Sequence, residues 1–179
     1  MDIMSYLLAK DSSGGGGGST VDLSDYFNST ISYGTSSKGG WKDVAKRIPD
    51  EMTINNASCA YMFSGYPAST IPNLTIGENI TVTNCSYMFN SCRQVEVFDL
   101  STLDLSSVTD VTSMFYYCQS ATKIDIRTLD NTIITNSSNM MGNISSGCLI
   151  IVKDDDFKTW LTNKFSSLTN VKTVDEYES

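Results

Sequence analysis

Apolar positions in the middle of this chain recur at a fixed distance. Met62, Met88, Met114 and Met140 stand 26 residues apart, and their neighbours repeat with them. Cys59 aligns with Cys85, Cys92 with Cys118, and Phe63 with Phe89 and Phe115. A period of this length signals stacked repeats, each too small to bury its apolar face alone. Within a unit the apolar residues fall at i, i+3, i+4 and i+7, as in Val111, Met114, Phe115 and Cys118. That spacing predicts a short amphipathic helix. Ser58, Asn84, Asp110 and Asn136 precede it in one column, and all four residue types are favoured N-caps. Past the helix the period changes to two around Phe98 and Leu100, and around Ile124 and Ile126, which predicts strands. Strands are expected near Leu74, Leu100, Ile126 and Ile151.

Helix, turn, strand and loop repeated in one direction predict a right-handed α/β solenoid of about four units. Its expected core is a ladder of Met62, Phe63, Met88, Phe89, Met114, Phe115 and Met140. The organisation follows from where the period holds. Residues 1–20 form an apolar peptide and a glycine-rich linker, and 21–56 an off-register N-terminal cap. Residues 57–153 carry the repeats, and 154–179 form a C-terminal cap. Asp154, Asp155 and Asp156 complement the positive end of a helix dipole there, with Val171 to Val174 as a further edge.

Composition narrows the function. The chain has 179 residues, a net charge of −8 and no histidine. An acidic chain without a basic patch argues against nucleic acid, and no apolar run is long enough to span a membrane. No nucleophile elbow, phosphate loop or paired cysteine metal motif appears, so a noncatalytic protein without cofactor or metal is expected. Cys59, Cys85, Cys92 and Cys118 read as small buried hydrophobes. Glu78, Asp104 and Asp130 form an acidic column that is either solvated or neutralised by a cation. Tyr61, Tyr87, Tyr116 and Tyr117 flank the Met–Phe pairs. They form either a recognition surface or a packed flank.

The segments Thr83–Cys92 and Val95–Cys118 resemble the BspA-like leucine-rich repeat, a unit also found in Mycoplasma-type surface lipoproteins. The resemblance covers about residues 56–152. It implies a noncatalytic adhesion or recognition scaffold. The flanks, Met1–Lys10 with its glycines, Asp22–Asn28 and Ile150–Leu161, are similar to tail-associated proteins of phages. That likeness implies a virion protein. Ile3, Met4, Tyr6, Leu7 and Leu8 would dock on other virion proteins or on two further copies about one axis, as a homotrimer. The repeats would face a host-surface protein or glycan. The alternative is a bacterial surface or intracellular interaction module.

Overall fold

The computed structural model describes residues 7–10, 51–54 and 56–179. The glycine run, the apolar segments between 21 and 48, and Ile3, Met4 and Tyr6 lie outside the described residues. Among the described residues there are seven strands: β1 Leu7–Lys10, β2 Glu51–Ile54, β3 Asn73–Ile76, β4 Val97–Asp99, β5 Lys123–Asp125, β6 Leu149–Val152 and β7 Val171–Thr173. Two helices, α1 Asp155–Lys164 and α2 Val174–Glu178, flank β7.

The expected right-handed α/β solenoid is corrected by this arrangement. Among the described residues the strands form two small sheets, β1-β2-β3 and β4-β5-β6-β7, rather than one continuous face. Strand β3 pairs with β2, in the register Leu74 to Met52, and not with β4. An isolated bridge between Thr70 and Val97 spans the gap between the sheets. Its offset is 27 residues, whereas Ser58, Asn84, Asp110 and Asn136 bridge at 26. The first unit is one residue shorter between Ser58 and the bridging Thr70, and β3 begins only at Asn73 beyond that bridge, so the Leu74 column does not continue into Leu100. Leu100 and Ile126 lie just beyond β4 and β5, whose buried centres are Phe98 and Ile124.

The helices expected at the methionine column are also absent. Residues 60–65, 86–91 and 112–117 run as consecutive turns. Backbone conformation is the reason. Tyr61, Tyr87, Ser113 and Asn139 hold φ values of 62°, 56°, 51° and 55°. Four positions later Gly65, Ser91, Tyr117 and Asn143 hold 73°, 61°, 63° and 58°. A left-handed residue interrupts a right-handed helix, and for a side chain other than glycine it costs about 1–2 kcal/mol. The cost is offset by a bond network that a helix cannot make. The N–H groups of Cys59, Tyr61, Phe63 and Gly65 donate to the carbonyls of Asn84, Ser86, Met88 and Asn90 at 2.7 to 3.0 Å. The intervening Met62, Ser64 and Tyr66 donate three residues back, to Cys59, Tyr61 and Phe63. The same alternation joins the second turn segment to the third and the third to the fourth. The column Ser58, Asn84, Asp110 therefore does not cap helices. The Asn84 and Asp110 side chains accept from the N–H two residues on, at 2.8 and 2.9 Å, as Asx turns.

The core sits between these stacked turns and the strands. Met88, Met114 and Met140 are fully buried, as are Phe63, Phe89 and Phe115, with Met62 nearly so. The three phenyl rings stack at 5.6 Å. Phe98, from β4, wedges edge-on against Phe89 and Phe115 at 5.2 and 5.3 Å. Each buried ring contributes roughly 1.5–3 kcal/mol relative to exposure. At the C-terminal end Asp154 caps α1, accepting from Phe157 N–H at 2.9 Å, and α1 buries Phe157 and Leu161. Thr173 and Glu176 cap α2 reciprocally.

Candidate recognition surface

The stacked turns present one side to the core and the other to solvent. In the turn segments 58–66, 84–93, 110–118 and 136–144 the charged residues are Arg93 and Asp110. The rest of that surface is Tyr, Ser, Asn and Thr. Acids are instead placed on the strands and loops, among them Glu96, Asp99, Asp104, Asp125 and Asp130. One side of the stack is thus almost free of charge in a chain of net charge −8.

The tyrosines are half-buried and fall into two groups. Tyr61 and Tyr87 occupy the same left-handed column in adjacent layers. Their rings are parallel, 4.6 Å apart and 3° off plane. Burial, and then the neighbouring Tyr87, raises the Tyr61 phenol above its ordinary value. The column continues into Ser113 and Asn139, so the ring ladder stops after two. Tyr116 and Tyr117 form the second group, edge to face at 4.4 Å. A hydrogen bond to Tyr117 is the main reason the Tyr116 phenol is raised. The fold thus brings the four predicted tyrosines to one side but as two pairs, not one cluster.

Sequence reasoning missed Arg93. Its Cζ lies 5.3 Å from the centre of the Tyr117 ring, one layer on. The available signal was its position, as the one cation within the turn segments. Lys164 likewise lies over a ring, that of Trp160, at 5.1 Å, while several other cations meet carboxylates. Lys123 lies 3.7 Å from Asp99, Lys158 lies 2.7 Å from Glu176, and Arg127 binds both Asp125 and Glu178. Arg93 has no ion pair among the described residues.

In the acidic column Glu78 and Asp104 are exposed, and two of its carboxylates are held by local bonds. Asp104 accepts from the Ser106 N–H and hydroxyl, and Asp130 from those of Thr132. These bonds hold both carboxyls below their usual range. Lys153 also approaches Asp130, at 3.9 Å. Among the described residues no group of three or more Cys, Asp or Glu is placed to hold a metal ion, and no helix is long and apolar enough to cross a membrane. A shallow hollow lies near the C-terminus between Lys158, Asn170, Lys172 and Glu176, away from the tyrosines. Of the peptide expected to dock on virion proteins, Leu7 and Leu8 form part of β1, paired antiparallel with β2 of the same chain.

Residues 57–160 match the family described as Mycoplasma protein of unknown function, DUF285. No curated protein and no solved structure matches the chain.

Proposed function

The chain belongs to the DUF285 family, whose function is unknown, and we propose from its geometry that it is a noncatalytic recognition module. It binds a component of a bacterial surface through its turn face. The observation that carries this is the segregation of charge. A face of Tyr, Asn and Ser with Arg93 as its lone cation suits contact with a polar partner, and Tyr and Arg are the residues enriched where proteins make contacts. The flank likeness to phage tail-associated proteins supports a virion as the setting, with the turn face outward and the residues ahead of β1 toward the particle.

The test is binding of fluorescently labelled full-length chain to a panel of bacterial strains. Wild type should label cells, and Tyr87→Ser should not, while still unfolding in one cooperative transition well above the assay temperature. Equal labelling by both proteins would sink the reading. The resemblance of the repeats to the BspA-like unit suggests a second setting, a bacterial surface or intracellular interaction module. Mass spectrometry of purified phage particles and of bacterial envelope fractions separates the two.

A further inference from the structure

The recognition reading leaves the chemistry of the partner open, and three features of the turn face narrow it. The first is what the face lacks. The large exposed hydrophobics among the described residues are Val97, Ile133 and Tyr177, none of them in the turn segments. The face offers half-buried tyrosine rings, amides and hydroxyls and no large exposed aliphatic side chain.

The second is the pair of aromatic platforms. The Tyr61 and Tyr87 rings are stacked, and Tyr116 and Tyr117 meet edge to face. Asn90 and Ser91 stand with them on the second layer, the Ser91 hydroxyl donating to Asn90 Oδ1 at 3.0 Å. A pyranose ring has the matching pattern. Its axial C–H groups form an apolar patch for an aromatic ring, and its hydroxyls bond amides and serines.

The third is Arg93. Its guanidinium is held on the Tyr117 ring and meets no carboxylate among the described residues. A guanidinium stacked on a ring keeps its N–H edge available for two parallel bonds to a carboxylate or phosphate. A single cation is too little for a nucleic-acid backbone, whose binding needs several phosphate contacts. It is enough for one anionic substituent on a sugar.

We infer that the turn face binds an anionic polysaccharide, with sugar rings against the tyrosine platforms and a carboxylate or phosphate substituent on Arg93. This rests on the recognition reading and names its ligand class.

The experiment uses the full chain on a printed array of dextran, polygalacturonate, alginate and teichoic acid, beside the labelled-cell measurement. Wild type should bind the uronate-bearing or the phosphate-bearing polymers above dextran, and which of them it binds identifies the substituent. Arg93→Gln should weaken that binding about tenfold, the effect of one lost charged contact, and leave binding to dextran unchanged. Its melting temperature should equal wild type, since the residue is exposed. Tyr87→Ser should abolish binding to every polymer. Equal binding of wild type and Arg93→Gln overturns the inference. So does cell labelling that survives periodate but not protease, which would mean a protein receptor and leave the recognition reading standing. Absence of cell labelling fails the recognition reading itself.

Discussion

The ring of Tyr116 lies against Gly142, 26 residues further along the chain. A β-carbon at Gly142 would come within 2.6 Å of Tyr116 Cδ2 and 2.9 Å of Cε2. Glycine is required here by close approach of a ring, not by its own backbone angle. Gly142→Ala should therefore destabilise the protein by about 1–3 kcal/mol, as overpacking does. The double variant Tyr116→Ala with Gly142→Ala should recover part of that loss in urea denaturation. Strict additivity of the two changes would show that the contact is not the cause.

Phe89 occupies the middle of the phenyl stack and also meets Phe98. Phe89→Ala should cost about 3–5 kcal/mol. Val97 on β4 is 43% exposed, and Val97→Ala should change stability by about 0.5 kcal/mol or less. Chemical denaturation midpoints of the two variants check the contrast, and similar values would contradict the placement of the core.

All five cysteines, Cys59, Cys85, Cys92, Cys118 and Cys148, are free and buried. The Cys92 and Cys118 thiols donate to the Phe63 and Phe89 carbonyls at 3.0 and 3.1 Å. Burial pushes the Cys92 thiol well up and the Cys148 thiol to about 11. A hydrogen bond with Cys59, followed by burial, raises Cys85. Thiols held protonated react slowly. Native protein at pH 8 should resist iodoacetamide, and the unreduced, denatured protein should take up label at all five. Mass spectrometry reads both, and a disulfide in the unreduced sample would contradict the structure.

Arg127 holds a buried carboxylate and a terminal helix at once. Its Nη2 lies 2.9 Å from Asp125, which is 1% exposed, and its Nη1 lies 2.6 Å from Glu178 on α2. Arg127→Ala strands the Asp125 charge, and removing one member of a buried pair costs about 3–5 kcal/mol. Glu178→Ala removes only an exposed contact and should cost about 1 kcal/mol or less. Hydrogen exchange should show α2 amides opening in both variants, with β5 weakened only in the first. Equal stability of the two would exclude the buried-charge argument.

Asp104, Asp130 and Glu176 all have lowered carboxyl pKa values, through bonds to Ser106, Thr132 and Lys158 respectively. A carboxyl with a lower pKa in the folded state stabilises the fold above its unfolded value. That contribution is lost as pH falls through the folded value. Stability should be level from neutral pH to about 5 and decline below about 4, near the ordinary carboxylate range. Urea midpoints measured across this interval test it, and Asp104→Asn with Asp130→Asn should flatten the decline.

The period, the buried columns and most strand positions were legible in the sequence, because burial is written directly in residue type. Met88, Phe89 and Cys92 had to be inside whatever the backbone did. The helix was misread because a spacing of i, i+3, i+4 and i+7 also fits successive turns that each bond three residues back. The contrary signal lay in Asn139, Asn143 and Gly65, residues that tolerate left-handed backbone. Tyr61, Tyr87 and Tyr117 hid it, since tyrosine seldom adopts that conformation. The split between sheets was hidden in a single missing residue before Thr70, which a search for a constant period passes over. On the candidate surface the tyrosines were visible but Arg93 was not, because its contact with Tyr117 crosses a layer.

Most bonds between turn layers run one way. Alternate N–H groups of each layer go to the carbonyls of the layer that follows, from Cys59 to Asn84, Cys85 to Asp110 and Val111 to Asn136, while at the start of a layer Asn84 and Asn136 donate back to the Ala57 and Thr109 carbonyls. The stack thus has a direction, like a polymer with a head and a tail. Any interior layer offers its neighbours the same carbonyls and the same donors as the next. A whole unit inserted between Cys92 and Val111 would leave the backbone bonds of both junctions unchanged, whereas a gain or loss of a few residues would misalign every bond beyond it. Length in this molecule is therefore quantised. The height of the stack can be adjusted in whole layers without redesigning either end.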